Sequence, residues 1–162
     1  PKIGGAHVVI ATCDGECLGV ATDETRAFFT DRGQNQRLLE VLADGGALPL
    51  AGGFLSVEDA VVLGGQIFVA SEGQSSVFTV PKGGGNAVLF AQVDDVVAVA
   101  VDDKDAWLVS QSPGKILRRS TTGNTALEMM ADGQAQPAGI TLTPQAVYWA
   151  NYATGSIMKL AR

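Results

Sequence analysis

One short pattern recurs four times in this chain and restricts its fold more than any single residue does. It runs apolar, aromatic, apolar, small or apolar, polar. It reads Ala27-Phe28-Phe29-Thr30-Asp31, Ile67-Phe68-Val69-Ala70-Ser71, Ala106-Trp107-Leu108-Val109-Ser110 and Val147-Tyr148-Trp149-Ala150-Asn151, with the aromatics spaced by 40, 39 and 41 residues. A second ladder agrees with the first: Ile10, Leu50, Phe90 and Met130 lie 40 residues apart, and each is followed by alanine. Paired apolar residues repeat at Leu38-Leu39, Val77-Phe78, Ile116-Leu117 and Ile157-Met158, and glycine turns recur at Gly4-Gly5, Gly45-Gly46, Gly83-Gly84-Gly85 and Gly123-Asn124. Internal periodicity of this length marks a stack of identical supersecondary units, none of which can bury its own apolar faces alone.

Each period holds four short apolar runs. Strand A falls at Leu18–Thr22, Ala60–Leu63, Val97–Val101 and Gly139–Leu142, strand B carries the aromatic, strand C the paired apolar residues, and strand D ends in the recurring alanine. The runs are nearly continuous in apolar character rather than alternating, as expected of sheets covered on both faces. Twenty glycines against six prolines, with 46% hydrophobic residues, suit many buried strands joined by tight turns. A four-stranded unit of about 40 residues in series predicts an all-β fold, the β-propeller, with four blade-equivalents in the chain. The expected blades are 18–52, 58–92, 97–132, and 138–162 completed by residues 5–12, all within a single domain spanning 1–162. The N-terminal outer strand, His7 to Ala11, is then the piece that the last blade lacks, supplied either in cis or by a second copy.

The stretch from Gly139-Ile140 to Leu160, with Val-Tyr-Trp-Ala-Asn followed by Gly-Ser-Ile-Met-Lys-Leu, and the linker Pro81-Lys82-Gly83-Gly84-Gly85 resemble bacterial extracellular β-propeller repeats related to the NHL, YVTN and YWTD groups. All four repeats take part; the second departs where Gly52-Gly53-Phe54 and Gly64-Gly65 replace the usual turn sequences. The resemblance implies the fold and an extracellular or periplasmic bacterial setting, and it is nearly silent on activity, because propellers host binding, scaffolding and catalysis alike. The chain opens on Pro1 rather than methionine, as a mature or trimmed product would.

Composition narrows the partners. Seventeen acids against eleven bases give a formal charge of −6, so a phosphate backbone is repelled and nucleic acid is excluded as a partner. No apolar run approaches the roughly 18 residues that a membrane helix needs. Cys13 and Cys17, in Cys-Asp-Gly-Glu-Cys, are expected to form a loop-closing disulfide. A redox pair needs two intervening residues rather than three, and a zinc site needs two further ligands. His7 is the only histidine, and its counterparts are Ala47, Ala87 and Leu127, so it reads as an ordinary outer-strand residue. The recurring aromatics read as core rungs rather than as a ligand cage. Lys115, Arg118 and Arg119 read as a solvated edge.

Antiparallel strands alternate direction, so the B–C and D–A connections emerge at one end of each blade. At that end Asp14, Glu16, Asp31, Glu58, Asp59, Glu72, Asp94, Asp95 and Asp132 stand against Arg32 alone. The other end carries Asp23, Glu24, Asp44, Asp102, Asp103 and Asp105 beside Lys2, Arg26, Lys82 and Lys104, closer to balance. A one-signed face over a low-dielectric mouth attracts cations or basic partners. The candidate ligand- or partner-binding face is therefore Asp14, Glu16, Asp31, Arg32, Glu72, Asp94, Asp95, Asn151 and Tyr152. No residue is assigned a catalytic or metal-ligating role, and no cofactor is implied. Asp94-Asp95 and the group Asp102, Asp103 and Asp105 offer oxygen ligands for calcium, but each is short of six. The resulting expectation is a non-catalytic, self-assembling binding or scaffold module for a protein or small-molecule ligand, with a homodimer closing an eight-bladed ring. The alternative is a degenerate hydrolase or lyase that uses a metal in the central channel.

Overall fold

The computed structural model describes residue 5 and residues 7–162. Of the sequence readings, Lys2 and Gly4 fall outside it, as does Ala6 within the span 5–12. The described chain is all-β, with two single-turn 3₁₀ helices, and no helix among its described residues is long and apolar enough to cross a membrane.

The first sheet contains β1 (Cys17–Thr22), β2 (Ala27–Asp31), β3 (Arg37–Val41) and β4 (Ala47–Ala51), paired antiparallel in chain order. The second contains β5 (Val57–Leu63), β6 (Gln66–Ser71), β7 (Ser76–Pro81) and β8 (Val88–Gln92), and the third β9 (Val96–Val101), β10 (Asp105–Ser110), β11 (Lys115–Ser120) and β12 (Glu128–Ala131). The fourth has three strands, β13 (Pro137–Thr143), β14 (Ala146–Asn151) and β15 (Ser156–Ala161). These are four blades, and the recurring aromatic occupies the same rung in each: Phe28, Phe68, Trp107 and Tyr148 lie opposite Ala21, Val61, Ala100 and Thr141 of the innermost strand.

Two irregularities repeat with the sequence. Near the start of each innermost strand the register shifts, between Cys17 and Val20, Val57 and Asp59, Val96 and Ala98, and Ala138 and Ile140. The acidic Glu58-Asp59 looks like loop in the sequence, yet β5 begins before it, because a bulge admits an extra residue without ending the strand. The third strand shifts register against the fourth between Leu38 and Leu39, Val77 and Phe78, and Ile116 and Leu117. Backbone at positive φ recurs just before the third strand, at Gln36, Ser75, Gly114 and Gly155.

The core lies between blades rather than within them. Phe28, Leu38 and Ala21 of the first blade meet Val57, Ala60, Ile67 and Val80 of the second. Phe68, Ala70 and Val77 of the second meet Val96, Val99, Ala106 and Leu108 of the third, and Trp107, Val109 and Ile116 of the third meet Val147 and Trp149 of the fourth. Each joint takes the aromatic of one blade onto the β-branched or small residues of the next, burying roughly 1.5–3 kcal/mol per large side chain. Around the axis the innermost strands pack in succession, β1 on β5, β5 on β9 and β9 on β13. The first contact is close enough to require Gly19: a Cβ there would lie 2.6 Å from the Ala60 nitrogen.

Residues 7–11, expected as an outer strand, form no ladder in the single chain. They lie against the first blade, where the Ile10 carbonyl accepts the Gly46 N–H and Ile10 lines a groove with Val20, Phe29 and Val41. His7 is exposed.

Candidate functional site: the acidic loop end

The loops predicted to share one end do so because the structure ties them together. In every repeat the residue that opens the B–C turn donates its N–H to the carbonyl of the D–A loop: Arg32 to Glu16, Glu72 to Ser56, Gln111 to Asp95 and Tyr152 to Gln136. The polar residue ending each second strand reinforces the tie from inside. Ser71 Oγ donates to Leu55 O at 2.7 Å, Ser110 Oγ to Asp94 O at 2.6 Å, and the Asp31 carboxylate accepts the Asp14 N–H at 3.4 Å.

Asp31 and Asn151 are therefore enclosed and hold loops, instead of facing a partner. Asp31 also accepts Gly33 N–H and Arg37 Nη2; burial works against its ionisation, but these donors outweigh it and hold the carboxyl below its ordinary value. Asn151 Nδ2 donates to Gln134 Oε1, which also accepts from Trp149 Nε1 at 3.0 Å. Tyr152 stands exposed on the adjoining 3₁₀ turn, Tyr152–Thr154.

The charge balance read from sequence needs one correction. Arg37, the first residue of β3, also reaches this end and pairs with both Asp14 and Asp31 at 2.9 Å. Arg32 bonds Glu16 at 2.7 Å and also contacts Glu58. Two bases, not one, thus neutralise four of the acids. Glu72, Asp94, Asp95 and Asp132 have no ion-pair partner among the described residues.

The blades converge at this end on a cavity of about 260 Å³, lined by Arg32 from the first blade, Glu58 and Glu72 from the second, Asp95, Val97 and Gln111 from the third, and Ala138 and Gly139 from the fourth. Burial pushes the Glu58 carboxyl above its ordinary value against the pull of Arg32, with Glu72 and Glu16 adding repulsion. Burial raises Asp95 too, opposed by the Ser112 backbone and assisted by Glu72. Below the mouth Asp59 sits between blades, accepting Val99 N–H at 3.0 Å and Ala60 N–H at 2.8 Å, and burial raises its pKa despite both donors. Sequence reading placed Glu58 and Asp59 at this end but not at the axis; their place directly before the innermost-strand run Ala60–Leu63 was the available signal.

Cys13 and Cys17 are joined, with Cα atoms 5.7 Å apart, closing the loop that carries Asp14 and Glu16. At the opposite end Asp23, Asp102 and Asp105 are ion-paired. Asp23 bonds Lys82 at 2.6 Å, which with backbone donors of Thr25 and Arg26 holds it far below the usual carboxylate range, and Asp102 pairs with Arg162 while accepting Lys104 and Asp105 N–H groups. Among the described residues no group of three or more His, Cys, Asp or Glu side chains is arranged around a metal position.

No protein-family model matches this chain, and no curated protein matches it in sequence. Solved structures do. A gluconolactonase from Xanthomonas campestris superposes with a TM-score of 0.81 at 16% identity, covering 95% of this chain and 61% of the lactonase. A chain of the nidogen/laminin complex matches with a TM-score of 0.69 at 13% identity, covering 91% of this chain and 76% of that one. The computationally designed protein Ika4 matches with a TM-score of 0.71 at 10% identity, covering 96% of this chain and 99% of Ika4. The fold is thus a β-propeller, shared with an enzyme and with a protein solved in a binding complex, and this chain spans about three fifths of the lactonase's length.

Proposed function

We propose that this chain is a non-catalytic binding module that assembles with a second copy into a ring and presents its acidic axial mouth to a cation or a basic partner. The observation that carries this reading is the convergence of Glu58, Glu72 and Asp95 on one cavity reached by all four blades, with Arg32 as the only base in its lining. Partly desolvated carboxylates crowded in this way are costly to ionise, and a cationic ligand relieves both the repulsion and the desolvation. Self-assembly is favoured by the ends of the arc, where the apolar Val20 and Ile157 face solvent. The Cys13–Cys17 bond supports an oxidising, extracytoplasmic setting.

Spermidine and an oligolysine peptide are the probes, titrated by calorimetry at low salt and again at about 0.15 M, where the Debye length is about 8 Å. Binding that weakens with salt and falls at least tenfold in Glu72→Gln/Asp95→Asn supports the reading. Binding of neither probe at low salt overturns it. The catalytic alternative predicts a stoichiometric transition metal by plasma mass spectrometry, in protein purified without metal affinity resin.

A further inference from the structure

We infer that residues 7–11 are the outer strand of a blade whose other three strands are β13–β15 of a second copy, docked on the open flank of the first blade in the register of the three internal joints. This deepens the self-assembly of the proposed function and rests on it.

The first support is the position of the segment. Ile10 accepts the Gly46 N–H just as Leu50, one repeat later, accepts the Gly85 N–H from the second blade. Leu50 is the outer strand of the blade preceding its donor, so Ile10 already occupies the outer-strand site of a blade preceding the first, with the rest of that sheet missing. The second support is the state of the two flanks. Ile157 is 75% exposed, whereas its repeat equivalents Leu38, Val77 and Ile116 are wholly buried in the joints. Val20 is 69% exposed, whereas its equivalent Val99 is 4% exposed against Val77's blade. Val77 and Val99 make one joint; Ile157 and Val20 are the same two positions of a joint that is not made within the chain. Both remain open in the folded arc although the three internal joints are made, and a second copy is the partner that covers them.

The third support is an alternation along the ring. An ion pair bridges the first and second blades, Asp23 to Lys82, and its equivalent bridges the third and fourth, Asp102 to Arg162. The joint between the second and third blades has Leu63 and Thr121 at those positions, and the open flank of the fourth blade has Thr143, again neutral. The fourth blade therefore presents the side that the second presents to the third, and the first blade, with neutral Ala43 at the position where the third has Thr121, is the neighbour that fits. Two chains related by a two-fold axis satisfy both open joints at once.

The internal ladders supply the register. Leu38, Val77 and Ile116 lie opposite Ala51, Ala91 and Ala131, and after the shared shift Leu39, Phe78 and Leu117 lie opposite Pro49, Leu89 and Met129. Carried forward one repeat, Ile157 lies opposite Ala11 and Met158 opposite Val9 of the second copy. The test is the double variant Val9→Cys/Met158→Cys under mild oxidation, with peptide mapping to separate the new bond from Cys13–Cys17, and light scattering of the unmodified chain. The expected result is a mass twice the 16.7 kDa chain and an interchain bond between positions 9 and 158, with Ile157→Asp weakening the dimer at least tenfold while the chain stays folded by circular dichroism. A dimer lacking that bond overturns the register and leaves self-assembly standing. A monomer overturns both, and an intrachain bond between positions 9 and 158 assigns closure to the single chain.

Discussion

Trp107→Ala tests whether the recurring aromatic is a rung of the core or a wall of a ligand cage. Trp107 is 1% exposed, opposite Ala100 and Arg118 within its sheet and packed on Val147 of the fourth blade. Truncating an aromatic in such a site costs about 3–5 kcal/mol, because apolar contact is lost and the blades on either side collapse only in part. Two further effects oppose each other. Arg118 and Arg162 lie over the indole at 5.8 and 5.9 Å, and losing both stackings adds about 0.5–1 kcal/mol each. Among the described residues the buried indole Nε1 has no hydrogen-bond partner, and deleting it returns about 1–3 kcal/mol. The net remains about 3–5 kcal/mol, which at about 2–4 °C per kcal/mol for a chain of this size lowers the melting midpoint by about 6–20 °C. Calorimetry at one fixed protein concentration measures it, since association between copies would make the midpoint concentration-dependent. Trp107→Phe, which keeps a ring and drops the stranded N–H, recovers at least half of the loss. Glu72→Ala, at the rim, stays within about 0.5 kcal/mol. A Trp107→Ala midpoint within about 1 °C of the parent, joined to loss of ligand binding, would refute the core assignment.

The buried Asp59 predicts a pH effect of definite sign. Its folded pKa lies above the ordinary 3.8, so the folded state holds its proton longer, and this group's contribution to stability declines as pH rises from 3.8 through the folded value. Asp59→Asn, which does not titrate, therefore gains stability relative to the parent between pH 4 and pH 7, as read from urea midpoints; a constant difference across that range sinks the argument. Reducing Cys13–Cys17 adds about 2 Da to the intact mass, and removing the bond by Cys13→Ser/Cys17→Ser costs about 2 kcal/mol for so short a loop. Two free thiols in unreduced protein would remove the staple.

What the sequence alone determined is what repeats within about 40 residues. Strand order, the aromatic rung, the paired apolar residues of the third strand and the turns between them are all set by contacts to the adjacent strand a few residues away, so a single period contains the information and four copies make it legible. The disulfide was readable for the same reason, since its loop holds only three residues between the cysteines. Tertiary structure decided what depends on how one blade sits on the next. Arg37 opens the third strand, just outside the loop residues whose charges the sequence counts, but it reaches over the loop end and takes Asp14 and Asp31 out of the acidic count. Asp31 and Asn151 match the exposed loop residues beside them in sequence, and it is the tie to the neighbouring D–A loop that buries them. The convergence of Glu58 and Asp95 arises only where innermost strands of different blades meet at the axis. The open flanks at Val20 and Ile157 are likewise invisible in composition, because each side chain matches buried equivalents in other repeats. Their exposure follows from the angle at which successive sheets pack, summed over three joints, and no local stretch of sequence encodes that sum.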